Sequence, residues 1–193
     1  MPALLSCALL RGQAIAPQHL LGNAFGGGIA VYADLSIRGF SDELAGAFRD
    51  INAQWIQAMF HLEPTDREVL ENPRARIVDP GGDILFVERA GVGIVGACAL
   101  QKTGDHCFEL TKMGVLESAR GAKAGEFLLK AVLRRARELD ARTLYLLTHS
   151  SCEAAIHLYE KLGFVHDAQI MRDFGLRYER CNVAMRYLPA GRP

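Results

Sequence analysis

Residues 120–129 read RGAKAGEFLL, two glycines and two cations leading directly into an apolar run. The start of a helix leaves backbone N–H groups unpaired and carries partial positive charge, which suits a bound phosphate. Gly121 and Gly125 would let the backbone approach such a group closely, and Arg120 and Lys123 add formal charge at the same place. The same residues also make an ordinary tight turn with solvated cations, so taken alone the stretch leaves both readings open. A second stretch, CEAAIHLYEKLGF (152–164), puts Ile156, Tyr159 and Leu162 on one helical face. Tyr159 could bring a protonated phenol to the edge of a cleft, or could be a core tyrosine with a partner for its hydroxyl. His61, His106, His149, His157 and His166 show no HxxxH-type spacing, so no metal site is expected, and His149 reads as a polar strand-end residue.

These residues need elements to hold them. The stretch 31–40 partly alternates as a half-buried strand. Ser41 and Asp42 can cap a helix in which Leu44, Phe48, Ile51, Trp55 and Met59 recur at spacings of three and four. Pro64 opens a short second helix that ends before Pro73. Residues 80–100 read as a glycine-turned hairpin and 107–115 as a further strand, in which alternation turns Lys112 away from Thr111 and Met113, as a salt-bridge partner. A helix over about 122–139 follows, then a continuous apolar strand at 143–149 of the kind covered on both faces. The helix at 153–164 closes on Gly163, and 182–188 makes a last strand. The order predicts one mixed α/β domain over residues 34–193, preceded by a loosely attached Gly-rich extension at 1–33.

Composition bounds the rest. Half of the residues are hydrophobic, as in globular chains, and 193 residues can bury a full core without metals or disulfides. Lys+Arg and Asp+Glu are equal at 22 each, so no global field attracts nucleic acid or an acidic membrane. The five cysteines, Cys7, Cys98, Cys107, Cys152 and Cys181, are scattered and form no CxxC pair, which points to free thiols in a reducing cytoplasm. Residues 1–18 have no basic n-region and Arg11 interrupts the apolar stretch, so a secretory leader is not expected. No apolar run is long enough to span a bilayer.

Taken together, ELTKMGVLESARGAKAGEFLL and LYLLTHSSCEAAIHLYEKLGF resemble the signature of the GNAT superfamily of acetyl-CoA-dependent N-acetyltransferases. Upstream, NAQWIQAMFHLEPTD, NPRARIVDPGGDILFVE and GIVGACAL resemble a bacterial branch often fused to MarR-type regulators, so that the likeness covers roughly residues 34–188. The resemblance implies a GNAT-like acyl-CoA N-acyltransferase fold, with a central mixed, mostly antiparallel sheet flanked by helices on both faces. It implies that main-chain N–H groups of Arg120, Gly121, Ala122, Lys123, Ala124, Gly125 and Glu126 bind the CoA pyrophosphate. Met113, Gly114 and Val115, on a strand that splays from its neighbour in this fold, would pair with the pantetheine, and an N–H near Met113 would stabilise the oxyanion. Tyr159 would protonate the departing thiolate, which suits a phenol that arrives protonated at neutral pH. Glu109 falls at a general-base position of histone-acetylating members, and Glu63 and Asp66 lie where the fold often forms the acceptor wall. Each of these carboxylates has a plainer reading as an ion-pair or capping group. Cys152 stands where many members carry an asparagine, and Lys123 replaces the first glycine of the loop, a substitution compatible with helical φ. The implied activity is acetyl transfer to a small-molecule or peptide amine, with no metal, the alternative being a non-catalytic acyl-CoA sensor. Homodimers are common in the superfamily.

Overall fold

The computed structural model of the chain describes residues 32–119 and 121–189. Seven strands form one sheet in the order β1-β2-β3-β4-β5-β7-β6. Strand β1 (Leu35–Gly39) is followed by helices α1 (Ala45–Met59) and α2 (Pro64–Glu71) and a wide turn at Arg74–Val78. Strands β2 (Asp83–Arg89), β3 (Gly93–Gly104) and β4 (Cys107–Val115) form an antiparallel meander with β1. Helix α3 (Ala124–Glu138) then crosses to β5 (Thr143–Thr148), the one strand that pairs parallel to its neighbour. Helix α4 (Glu153–Lys161), β6 (Phe164–His166), α5 (Ala168–Phe174) and β7 (Val183–Tyr187) complete the chain. The sheet is thus mixed and mostly antiparallel with helices on both faces, as expected from the sequence.

Alternation along the strands sorts the core into two faces. Leu85, Val87, Leu100, Phe108, Leu110 and Leu144 pack towards α3, whose Leu128, Leu129, Val132 and Ala136 are buried there. Ile84, Phe86, Ala97 and Ala99 pack on the opposite face against Phe48, Ile51 and Ile56 of α1. Tyr145, on that opposite face of β5, stacks on Phe174 of α5 at 4.3 Å between ring centroids. The apolar run of β5 is therefore covered from both sides, as its composition requires.

Elements β6 and α5 were not expected from the sequence. Strand β6 has three residues, too few to display a period. Helix α5 has seven, and its start is marked by Asp167, whose carboxylate accepts from the amides of Gln169 and Ile170 at 2.8 and 3.1 Å. Residues 1–31 lie outside the described residues. Tyr32 belongs to the domain rather than to the extension: its ring lies 5.1 Å from that of Phe127, and its hydroxyl accepts from Lys130. Among the described residues no helix is long and apolar enough to cross a membrane.

One irregularity shapes the β4 strand. Ala97 faces Gly114 and Ala99 faces Thr111, so Cys98 of β3 is opposed by both Lys112 and Met113. This β-bulge is taken up by Lys112, whose φ is 51°. The extra residue reverses the alternation beyond it: Met113 and Val115 turn to the α3 side, while Gly114 turns to α1. A Cβ on Gly114 would come within 2.6 Å of the Trp55 ring. Gly114→Ala is accordingly expected to cost about 1–3 kcal/mol through forced displacement of Trp55, read as a fall in the urea midpoint with an unchanged m-value.

Candidate acetyl-transfer site

Strands β4 and β5 pair over Cys107–Glu109 and Thr143–Tyr145 and then separate. From Leu110 onward the β5-facing edge of β4 has no strand partner, and the gap opens into a cavity of about 460 Å³. Backbone N–H and C=O groups on such an edge require partners of their own. Thr111, Lys112 and Met113 all line this cavity, because the bulge defeats the alternation that would have turned Lys112 away from its neighbours. Opposite stand Leu146, Leu147, Thr148 and His149, with the first turn of α4 beyond them.

Tyr159 reaches the cavity from α4. Its side chain is buried, and its hydroxyl lies 3.8 Å from the Met113 sulfur, a weak acceptor. Burial pushes the phenol pKa well above its ordinary value, with the neighbouring Cys98 and Cys152 thiols acting in the same direction. The hydroxyl therefore holds its proton and has no strong acceptor competing for it. Cys152 lines the cavity as the N-cap of α4 and makes no side-chain cap bond.

Beyond Met113 the chain enters the glycine-containing turn. Arg120 lies outside the described residues. Gly121 has φ of 87° and no atom within 4 Å of a Cβ position, so its glycine is required by conformation rather than by space. Lys123, expected to keep helical φ, is instead left-handed, with φ 55° and ψ 23°. It is the N-cap of α3, where the backbone has not yet entered the helix; a non-glycine residue in this conformation costs about 1–2 kcal/mol. The α3 start has no side-chain cap. The amides of Ala124, Gly125 and Glu126 thus lie in a first turn without intrahelical acceptors, as an anion-binding terminus requires. Ala122 is partly engaged, its amide lying 3.3 Å from the carbonyl of Ala119. The Glu126 side chain points to Lys130 and Lys161 at 2.8 and 2.7 Å, and these bonds, with the cations' charge, hold its pKa at about 2 against the effect of burial. Its carboxylate thereby ties the start of α3 to the end of α4.

The carboxylates singled out in the sequence are placed differently from the expectation. Glu109 is 1% exposed and lies behind the cavity, 2.9 Å from Arg177, which also donates to Tyr145. Burial raises the Glu109 pKa despite the charges of Arg177 and Lys112 and a hydrogen bond with the Thr111 side chain. Thr111 lines the cavity and Glu109 does not. Glu63 and Asp66, expected on an acceptor wall, likewise stand behind the cavity lining rather than on it. Asp66 is fully buried and accepts from Arg180 at 2.7 and 2.9 Å, from Lys112 at 3.0 Å and from the Glu63 amide at 3.0 Å. Glu63 accepts from Arg180 Nη1 at 2.9 Å and from the amides of Glu179 and Arg180. In front of these carboxylates Arg180, Lys112 and Tyr178 line the cavity, flanked by Trp55 and Phe60, and Glu153 lines it from the first turn of α4. Sequence reasoning missed Arg177, Tyr178 and Arg180, because the segment 175–182 has little regular structure and so no period to orient its side chains. The closely spaced acidic pair at 63 and 66 was the available signal that buried cations lay elsewhere in the chain.

The Acetyltransferase (GNAT) family matches residues 47–164. The chain belongs to this family. Relatives of the GNAT chain include a mycothiol acetyltransferase of Corynebacterium efficiens, 29% identical over 126 residues, or 62% of this chain and 42% of the relative. The chain therefore spans less than half the length of that relative. The uncharacterised N-acetyltransferase YvbK of Bacillus subtilis is 32% identical over 53% of this chain and 71% of its own. An acetyltransferase structure of the same family from Staphylococcus aureus superposes with a TM-score of 0.71 at 20% identity, covering 79% of this chain and 98% of that one. A spermidine N-acetyltransferase of Vibrio cholerae, in complex with CoA and spermine, superposes with a TM-score of 0.60 at 19% identity over 81% and 95% of the two chains. The narrower likeness to a branch fused to MarR-type regulators finds no support among these proteins.

For Asp66, burial alone would raise the pKa, but the Arg180 hydrogen bonds and the Lys112 charge outweigh it and hold the carboxyl below its ordinary value. Its stabilisation is then present above the unfolded-state pKa of about 4 and is lost as pH falls through the lower folded value. Asp66→Asn is expected to cost about 3 kcal/mol at neutral pH, since it leaves two buried cations underpaired. Denaturant melts of both proteins should give a difference that is flat near neutrality and narrows below about pH 4.

Proposed function

We propose that this GNAT-family chain moves an acetyl group from acetyl-CoA to a primary amine by direct attack within a ternary complex. The observation that carries this reading is the divergence of β4 from β5 with the protonated Tyr159 hydroxyl beside Met113 in the opening. The glycine-containing turn at the uncapped start of α3 suits the pyrophosphate of the cosubstrate, and the open edge at Met113, Gly114 and Val115 suits its amide-bearing arm. When bound, the cosubstrate supplies an activated acyl carbon and a thiolate leaving group.

The chain's own residues then divide the work. The β4 main chain at the bulge orients the acyl carbonyl and gives an N–H to the oxygen on which charge develops, a preorganised stabilisation of a kind worth about 2.7–4 kcal/mol per donor. Tyr159 gives its proton to the departing sulfur. The amine must lose a proton, and Glu109, raised by burial, is assigned to receive it through the Thr111 hydroxyl, which is hydrogen-bonded to it on the same face of the strand. Holding two reactants in one cleft supplies most of the remaining acceleration. N-acetyltransferases among the relatives agree with transfer to an amine.

Isothermal calorimetry with acetyl-CoA tests the proposal: binding in the micromolar range is expected, and no heat at high micromolar concentration overturns it. Tyr159→Phe is expected to lower kcat by about 10²-fold or more with little change in acetyl-CoA affinity, followed by release of free thiol. A Phe variant with full turnover would remove the acid role alone. Lys123→Gly separates the two contributions of that residue. Relief of the left-handed backbone should hold or raise stability by up to about 1 kcal/mol, while CoA affinity falls several-fold at low ionic strength and less at high.

A further inference from the structure

The charged side chains on the acceptor wall differ in how fully their hydrogen-bonding capacity is used. Both oxygens of Asp66 accept two donors each, and the Glu63 oxygens accept from Arg180 and from two main-chain amides. These carboxylates have little capacity left and sit behind the wall. The groups in front of them retain unused hydrogens. Arg180 uses Nη1 and Nη2 on the carboxylates and keeps its Nε–H. Lys112 gives one hydrogen to Asp66 and one to the Tyr178 oxygen at 3.2 Å, and its ammonium is buried against the Tyr178 ring, so it contributes charge behind the tyrosine. Tyr178 accepts from Lys112 and keeps its own hydroxyl hydrogen to donate. His149 has the same polarity: its Nδ1 accepts from the Ser151 amide at 3.1 Å, which leaves the hydrogen of the neutral ring on Nε2.

At the end of the cavity lined by Lys112, Tyr178 and Arg180, a second cationic amine on the acceptor would thus meet donors and cations, whereas the carboxylate that lines the cavity, Glu153, stands in the first turn of α4. An anionic oxygen would meet several donors at once. The Trp55 and Phe60 rings beside them offer apolar area. Resting on acetyl transfer as the activity of this cavity, we propose that the acceptor is an amine that also carries a carboxylate and an apolar body, in the class of amino acids, rather than a polyamine. Arg180, held between the Phe60 and Tyr178 rings at 5.9 and 5.2 Å from their centroids, and Tyr178 are the residues that recognise the carboxylate.

The test uses the wild-type chain with acetyl-CoA and matched acceptors: phenylalanine, leucine and an ω-amino acid, each beside its carboxamide, with phenethylamine and spermidine as amines lacking the anion. Release of CoA thiol is expected to favour each acid over its amide by at least tenfold in kcat/KM, and over spermidine by more. Tyr178→Phe, which keeps the ring but also removes an acceptor for Lys112, should raise KM several-fold more for the acids than for the matched amides, while any change in kcat is shared by both. Equal or better turnover of amides or spermidine overturns the acceptor class while leaving acetyl transfer standing. So does the absence of all turnover together with no calorimetric binding of the acids to the CoA-loaded chain. Failure of acetyl-CoA itself to bind overturns the underlying activity, and the acceptor class falls with it.

Discussion

The site depends on a single buried ion pair, Lys112 with Asp66. The Lys112 side chain is 2% exposed and that of Asp66 is fully buried, with 3.0 Å between ammonium and carboxylate. Such a pair is weak evidence for net stability, because two desolvated charges recover their loss only with good geometry and further hydrogen bonds. Here those bonds come from Arg180, Tyr178 and the Glu63 amide. What the pair secures is position. Lys112 is also the residue whose left-handed backbone makes the bulge in β4, so the ammonium pinned to α2 fixes where the strand departs from regularity.

From that fixed irregularity the rest of the cleft takes its shape. Up to Glu109 β4 pairs with both β3 and β5; after the bulge, Met113 and Val115 belong to the α3 face and Gly114 to the α1 face. The reversal carries Met113 to the side from which Tyr159 arrives, and it moves Gly114 under the Trp55 ring. A β4 that alternated without interruption would bring Met113 to the α1 side, away from the tyrosine. Beyond Glu109 β4 has no β5 partner, and the edge left open is main-chain surface that an amide-bearing ligand can use.

The sequence made one half of this cleft legible and left the other half dark, for a physical reason. The half proposed to take the cosubstrate is built from backbone: the open edge of β4, the first turn of α3 and the glycine-containing loop. Backbone sites need glycines, helix starts and strand ends at fixed intervals, and these leave a pattern that RGAKAG and LYEKLGF carry. The half proposed to take the acceptor is built from side chains that meet from distant parts of the chain, Trp55 from α1, Lys112 from β4 and Arg180 from the segment after α5. No spacing relates them. Even where the residue type was noticed, as at Glu63 and Asp66, the direction it faced depended on Arg180, more than a hundred residues later. Lys123 departed in a different way: its identity argued for helical φ, and the helix cap took the left-handed conformation at the expense of local strain.

This division also bears on how acceptor preference can differ between chains of this family. Lys112 cannot vary alone, since it both pairs with Asp66 and makes the bulge in β4. Exchanging it would disturb the strand as well as the cavity wall. Glu63 and Asp66 are bound in turn by the cap of α2 and by Arg180. Met59 and Phe60 at the end of α1 and Cys181 after α5 touch the cavity without a bond to Lys112, Asp66 or β4, and so can change without moving the strand. Acceptor choice is therefore expected to reside in the least regular part of the domain, and the chemistry of the acyl group in the most regular.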